Sequence, residues 1–169
     1  GMIEKFESHP EQYEKHHEGA MQFSQIKLQG YQVWGEEVKI ILEAFLKHLK
    51  EYKNTCLNGS WQLPEKYTFE EVRMKRYLPD KVDEFGDHVD VTSHLGGKRM
   101  LILMVYLNDN FGGGETVFPL YGDTIKPKKG SLLMFPPMWM YMHRGNPPLA
   151  PGYAKYFLMT YLNYEPIQN

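Results

Sequence analysis

The run MLILMVYL, residues 100–107, is apolar at every position. A strand with one wet face alternates apolar and polar side chains, so an unbroken run implies a strand buried on both faces. One face can look into a barrel; the other needs a cover. The cover is found upstream, in GEEVKIILEAFLKHLKEY (35–52). There Val38, Ile41, Leu42, Phe45, Leu46, Leu49 and Tyr52 recur at helical spacing, with lysines and glutamates on most of the other face. Downstream of residue 71, short apolar runs (VRMKRYL, HVDVTSHL, ETVFPL, SLLMFPP, MWMYMHRG, KYFLMTYLN) alternate with LGGK, DNFGGG, YGDT, PKKG and NPPLAPG. Several short strands punctuated by Gly, Pro, Asn and Asp turns predict a sandwich or barrel. The expected fold is therefore mainly β with N-terminal α-helices, a double-stranded β-helix (a cupin-like jelly roll). Residues 1–70 form a helical segment packed on the sheet of the same domain, including a second helix within 4–25, and residues 71–169 form the jelly-roll core.

The chain of 169 residues is long enough for one such core. With 42% hydrophobic, 24% charged and 14% aromatic residues, it has the composition of a globular protein. A net charge of −2 offers no general attraction to phosphate backbones or anionic lipid, so neither a nucleic-acid nor a membrane partner is expected. No apolar stretch approaches the ~20 residues of a membrane span. The single cysteine, Cys56, excludes an intrachain disulfide framework and a cysteine-rich metal site, which leads to an expected cytoplasmic location. The polar N-terminus reads as lacking a signal peptide, with Gly1 ahead of Met2 as a tag remnant.

Such a barrel needs contents. In FGDHVDV (85–91), His88 and Asp90 stand two apart, and on a strand they share a face. Alone the pair is a common coincidence of surface or core residues. His143, in MWMYMHRG, comes 55 residues later on an expected strand, with Trp139 and Tyr141 on its face. Two imidazoles and one carboxylate are the donor set of a facial triad suited to non-haem Fe(II). His94, six after His88, is a rival third ligand, although Gly96 and Gly97 place it nearer a turn. Arg144 follows His143 directly and should face away from the site.

The motifs then become specific. His88-Val89-Asp90 followed by His143 resembles the His-x-Asp…His pattern of the Fe(II)/2-oxoglutarate-dependent dioxygenases. VYLNDNFGGGETVFP (105–119), IKPKKGSLLMFPP (125–137) and HRGNPPLAPGYAKYFLMTYL (143–162) are similar to successive segments of its prolyl 4-hydroxylase-like branch. The resemblance spans about 72–163 and implies Fe(II), 2-oxoglutarate and O2, with ascorbate to rescue oxidised iron. It implies hydroxylation of an unactivated C–H bond, with succinate and CO2 as coproducts. His88, Asp90 and His143 would be the metal ligands. Lys155, twelve after His143, would pair the distal carboxylate of 2-oxoglutarate, where the family shows a lysine after about ten residues. Tyr77 would donate a hydrogen bond to that carboxylate from ahead of a slightly longer loop, PDKVDEF. Thr116 joins the cosubstrate pocket, with hairpin packing as its alternative. The family's terminal tryptophan is replaced by Tyr161. No arginine-rich continuation follows His143, which argues against nucleic-acid repair, and no second module suggests a collagen substrate. The expected substrate is a prolyl or other protein side chain. The alternatives are the same chemistry on a small molecule, or a non-catalytic metal-binding barrel.

Overall fold

The computed structural model describes residues 1–57, 60–79 and 83–165. Its strands in chain order are β1 (Glu14–Glu18), β2 (Met21–Lys27), β3 (Tyr67–Phe69), β4 (Arg73–Tyr77), β5 (Glu84–His88), β6 (Arg99–Tyr106), β7 (Thr116–Phe118), β8 (Asp123–Ile125), β9 (Leu132–Phe135), β10 (His143–Gly145) and β11 (Lys155–Tyr164). The helices are α1 (Met2–Glu7) and α2 (Gly35–Thr55). The strands hydrogen-bond in the order β8-β7-β10-β5-β2-β4-β11-β6-β9, with β1 on β2 and β3 on β11. The named strand pairings are all antiparallel. This is the mainly β, jelly-roll class expected from the turn-punctuated strands.

The founding run behaves as its composition requires. Leu101 and Leu103 of β6 turn outward and join Ile41, Phe45 and Leu49 of α2 in one buried cluster with Trp34, Val72 and Leu158. Ile102, Met104 and Tyr106 turn inward and meet Phe23, Tyr77, Phe135, Phe157 and Met159 in the other. Two faces of one strand thus serve two cores, and α2 covers the outer one. Glu36 and Glu37 in the first turn of α2 and Lys53 in the last suit its dipole.

Three expectations need correction. The segment 1–70 is not simply helical: after the short α1, residues 14–27 form the β1–β2 hairpin, whose β2 strand joins the sheet against β4 and β5. Met21, Phe23 and Gln25 alternate with Gln22, Ser24 and Ile26, a period-2 pattern obscured because both faces are largely buried. Second, β5 stops at His88, so Asp90 sits just past the strand end rather than on its face. Third, residues 139–141 form a 3-10 turn, and the strand is confined to His143–Gly145. Pro136 and Pro137 precede that turn and cannot donate to a ladder. Instead the Pro137 carbonyl accepts from the Asp90 and Val91 amides at 3.2 and 3.3 Å.

Candidate metal and cosubstrate site

Strand pairing assembles the site. β10 runs antiparallel to β5 with His143 directly opposite His88, which brings residues 55 apart in sequence to a ring-centroid distance of 4.2 Å. The Pro137 hydrogen bonds swing Asp90 back over the same end of the pair. The ligand atoms of His88, Asp90 and His143 all lie within 4.8 Å of one another. His94 takes no part; it is exposed in the turn before Gly96.

Each side chain is held by its neighbours. The Nδ1 of His88 meets the Gly86 carbonyl at 2.7 Å, and that of His143 meets the Tyr141 carbonyl at 2.9 Å. A carbonyl can only accept, so both protons sit on Nδ1 and both Nε2 lone pairs face Asp90. His88 also stacks flat on Phe85, with planes 4° apart. Burial holds both imidazoles below the ordinary histidine range, His88 at about 4 with its neighbour His143 adding to the drop. Neutral Nε2 atoms therefore stand 3.4 Å (His143) and 3.9 Å (His88) from the carboxylate oxygens. The Tyr161 hydroxyl donates to Asp90 Oδ1 at 2.5 Å, while Oδ2 is buried without a hydrogen-bond partner among the described residues. Three electron-pair donors thus converge with no proton to share, an arrangement that costs free energy unless a cation stands between them. Neutral nitrogen and anionic oxygen donors fit Fe(II).

The pocket continues inward from the triad. It is lined by Lys75, Tyr77, Phe85, Thr116, Phe135, Lys155, Phe157 and the three candidate ligands. Lys155 opens β11 opposite Tyr77 and is 1% exposed. Its Nζ donates to the Gly114 carbonyl at 2.7 Å and lies over the rings of Tyr77, Phe157 and Tyr106 at 5.0, 5.1 and 5.7 Å. Burial lowers Lys155 to about 7 and pushes the Tyr77 hydroxyl far above its usual range. Gly114, at φ +70°, makes this possible: a Cβ there would stand 2.5 Å from Phe111 and 3.2 Å from Lys155 Cδ. Thr116 lines the pocket with its hydroxyl 2.7 Å from that of Tyr106, so it is both a lining and a packing residue. The longer loop expected over PDKVDEF falls in part on residues 80–82, outside the described residues. Arg144 faces away, 3.2 Å from Asp87.

Sequence reasoning missed Lys75 and undervalued Tyr161. Lys75 stands two before Tyr77 on β4, so the period-2 rule that places Tyr77 inside places Lys75 there as well. Tyr161, read only as an aromatic substitute, orients the carboxylate of Asp90 and carries Arg99 over its ring at 4.0 Å. Arg99 and Arg73 both pair with Glu70, at 2.7 and 3.1 Å, behind the triad.

Comparison with known proteins agrees with this geometry. Residues 72–163 match the family model described as the 2OG-Fe(II) oxygenase superfamily. Over 82 residues the chain is 32% identical to prolyl 4-hydroxylase 1 of Arabidopsis thaliana, covering 38% of this chain and 28% of that protein. The chain spans about a third or less of the length of the curated relatives it matches, 32% and 28% for the first two. A viral collagen prolyl hydroxylase from Paramecium Bursaria Chlorella virus-1, solved with 2OG, superposes with a TM-score of 0.59 at 28% identity over 73% of each chain. A Trichoplax adhaerens prolyl hydroxylase, solved with a peptide of the hypoxia inducible factor oxygen degradation domain, shares the fold. Its TM-score is 0.71 at 16% identity, over 95% of this chain and 74% of that one.

Proposed function

Because the chain belongs to the 2OG-Fe(II) oxygenase superfamily, we propose that it hydroxylates an unactivated C–H bond of a prolyl or other protein side chain, releasing succinate and CO2. The observation that carries this reading is the coincidence, in one pocket, of the His88–Asp90–His143 donor set with the buried ammonium of Lys155. When bound, Fe(II) and 2-oxoglutarate supply the oxidative decarboxylation with O2 that makes a C–H bond reactive. His88, Asp90 and His143 hold the metal through Nε2, carboxylate oxygen and Nε2. Lys155 pairs the distal carboxylate of 2-oxoglutarate, Tyr77 donates its hydroxyl to the same group, and Thr116 walls the pocket. Phe135, Phe157 and Met159 exclude water around them.

A peptide rather than a small molecule is favoured by the way the site opens. Grooves leave it on both sides of Asp90, one past His16, Gln25 and Arg99, the other past Thr68, Ser93 and Lys98. An extended chain can lie across such an opening and insert one side chain toward the metal. The two solved neighbours are themselves named as prolyl hydroxylases.

The test is anaerobic addition of Fe(II) and 2-oxoglutarate to the purified protein, following the weak visible metal-to-ligand charge-transfer band. The expected result is a band in the wild type that persists in His94→Ala and vanishes in His143→Ala. Absence of the band from folded, iron-loaded wild type would overturn the reading in favour of a non-catalytic barrel.

A further inference from the structure

Lys75 is a buried cation that the chemistry above does not use. It lies in the middle of β4, 7% exposed, and among the described residues its ammonium has no hydrogen-bond or ion-pair partner. It rests over the rings of Phe23 at 4.2 Å and Phe85 at 5.7 Å. Such contacts offset only part of the loss of hydration. Lys155 differs, since its ammonium is anchored on Gly114.

Register locates Lys75 relative to the cosubstrate end of the pocket. Lys155 pairs with Tyr77 and Phe157 with Lys75, so Lys75 stands two residues, about 7 Å, farther along the strands. It lines both the inner pocket, with His88 and Asp90, and the outer groove, with His16, Arg73 and Arg99. Arg73 adds to the deficit of anions: Nη2 pairs with Glu70, yet the buried Nη1 has no hydrogen-bond partner among the described residues. Glu70 is already shared between two arginines. Asp90, whose charge also acts on Lys75, is a candidate metal ligand. The groove therefore presents more positive charge than the described residues neutralise, focused where a substrate must pass.

We propose that Lys75 binds a carboxylate of the substrate, so that the peptide hydroxylated here carries an Asp or Glu next to the oxidised residue. This rests on the peptide-hydroxylase reading. Because Lys75 and the triad line one pocket, the carboxylate lies within about one residue of the oxidised carbon. Until substrate arrives, the ammonium rests over Phe23 and Phe85 at the lining of the groove and stays available.

The experiment uses full-length protein loaded with Mn(II), which binds without turnover, and saturating 2-oxoglutarate. A library of capped pentapeptides, Ala-Xaa-Pro-Zaa-Ala, is titrated with acidic members paired against their Asn and Gln twins. The wild type is expected to bind acidic members at least tenfold more tightly. In Lys75→Met that ratio falls to about one, with 2-oxoglutarate affinity and neutral-peptide affinity unchanged. The melting temperature of Lys75→Met should equal or exceed the wild type, because an unpaired buried charge is removed; Lys75→Gln is the second variant. Equal binding of acidic and amide twins by the wild type would overturn the proposal and leave the peptide reading intact. A tenfold loss of 2-oxoglutarate affinity in Lys75→Met, with acidic preference retained, would also overturn it by assigning Lys75 to the cosubstrate. Binding of 2-oxoglutarate but of no library member would remove the peptide reading and this proposal with it.

Discussion

Lys155 shows how one residue couples burial to binding. Burial, opposed by the charge of Glu115 and helped by that of Lys75, brings its ammonium to about 7, well below the ~10.4 of an exposed lysine. The sign follows from proton counting. Between about 7 and ~10.4 the unfolded chain holds a proton that the folded chain has lost, so ligand-free stability rises with pH across that window, and the full penalty applies below it. In the proposed pairing, binding runs the other way, since the distal carboxylate needs the charged form. Above pH 7 the protein must take up a proton to bind 2-oxoglutarate. Affinity should therefore weaken by about tenfold per pH unit from 7.5 to 8.5, and calorimetry in buffers of different ionisation enthalpy should show an uptake approaching one proton. A flat profile would contradict the role given to Lys155. The types and spacing of His88, Asp90, His143 and Lys155 were legible because each is costly to bury for packing alone. Lys75 escaped notice only because it sits in a run, RMKR, that looks like a solvated face.

At the scale of elements, α2 is the most transparent and β10 the least. The apolar stripe of α2 predicts its burial, and Ile41, Phe45 and Leu49 all enter the outer cluster. Phe45 is 1% exposed there, and Phe45→Ala should cost about 3–5 kcal/mol, lowering the melting temperature by on the order of 10 °C. The metal-site band should be unchanged, because α2 packs on the face of β6 opposite the pocket. Loss of the band with retained stability would show that the two faces of β6 are not independent. β10 has only three residues, too few for any periodicity, and the two prolines before it redirect the chain into a turn. Its strand character comes from pairing with β5 and β7, not from its own composition.

The whole molecule depends on a segment that resembles no part of the family motifs. Along the edge opposite β1, β2 pairs with β5 through Met21 and Gln22 and with β4 through residues 24–27, joining the strands that carry the triad to those that carry Lys155 and Tyr77. Phe23 fills the inner core between them. A chain lacking residues 1–27 would expose that core and leave the facing edges of β4 and β5 unpaired. It should lose cooperative thermal unfolding and metal binding together, as judged by circular dichroism and Mn(II) calorimetry. A cooperatively folded truncation would show that residues 71–169 are self-sufficient. The sequence by itself determined the class of the fold, the helix that covers β6 and the identities of the candidate ligands, since each follows from local periodicity or from residue types with few other uses. Only the tertiary structure decided that residues 14–27 are strands, that His143 sits opposite His88, and that Lys75 shares their pocket without a partner among the described residues. Those facts depend on pairing between distant segments, where free energy is gained by burying faces together and no single stretch of chain carries the signal.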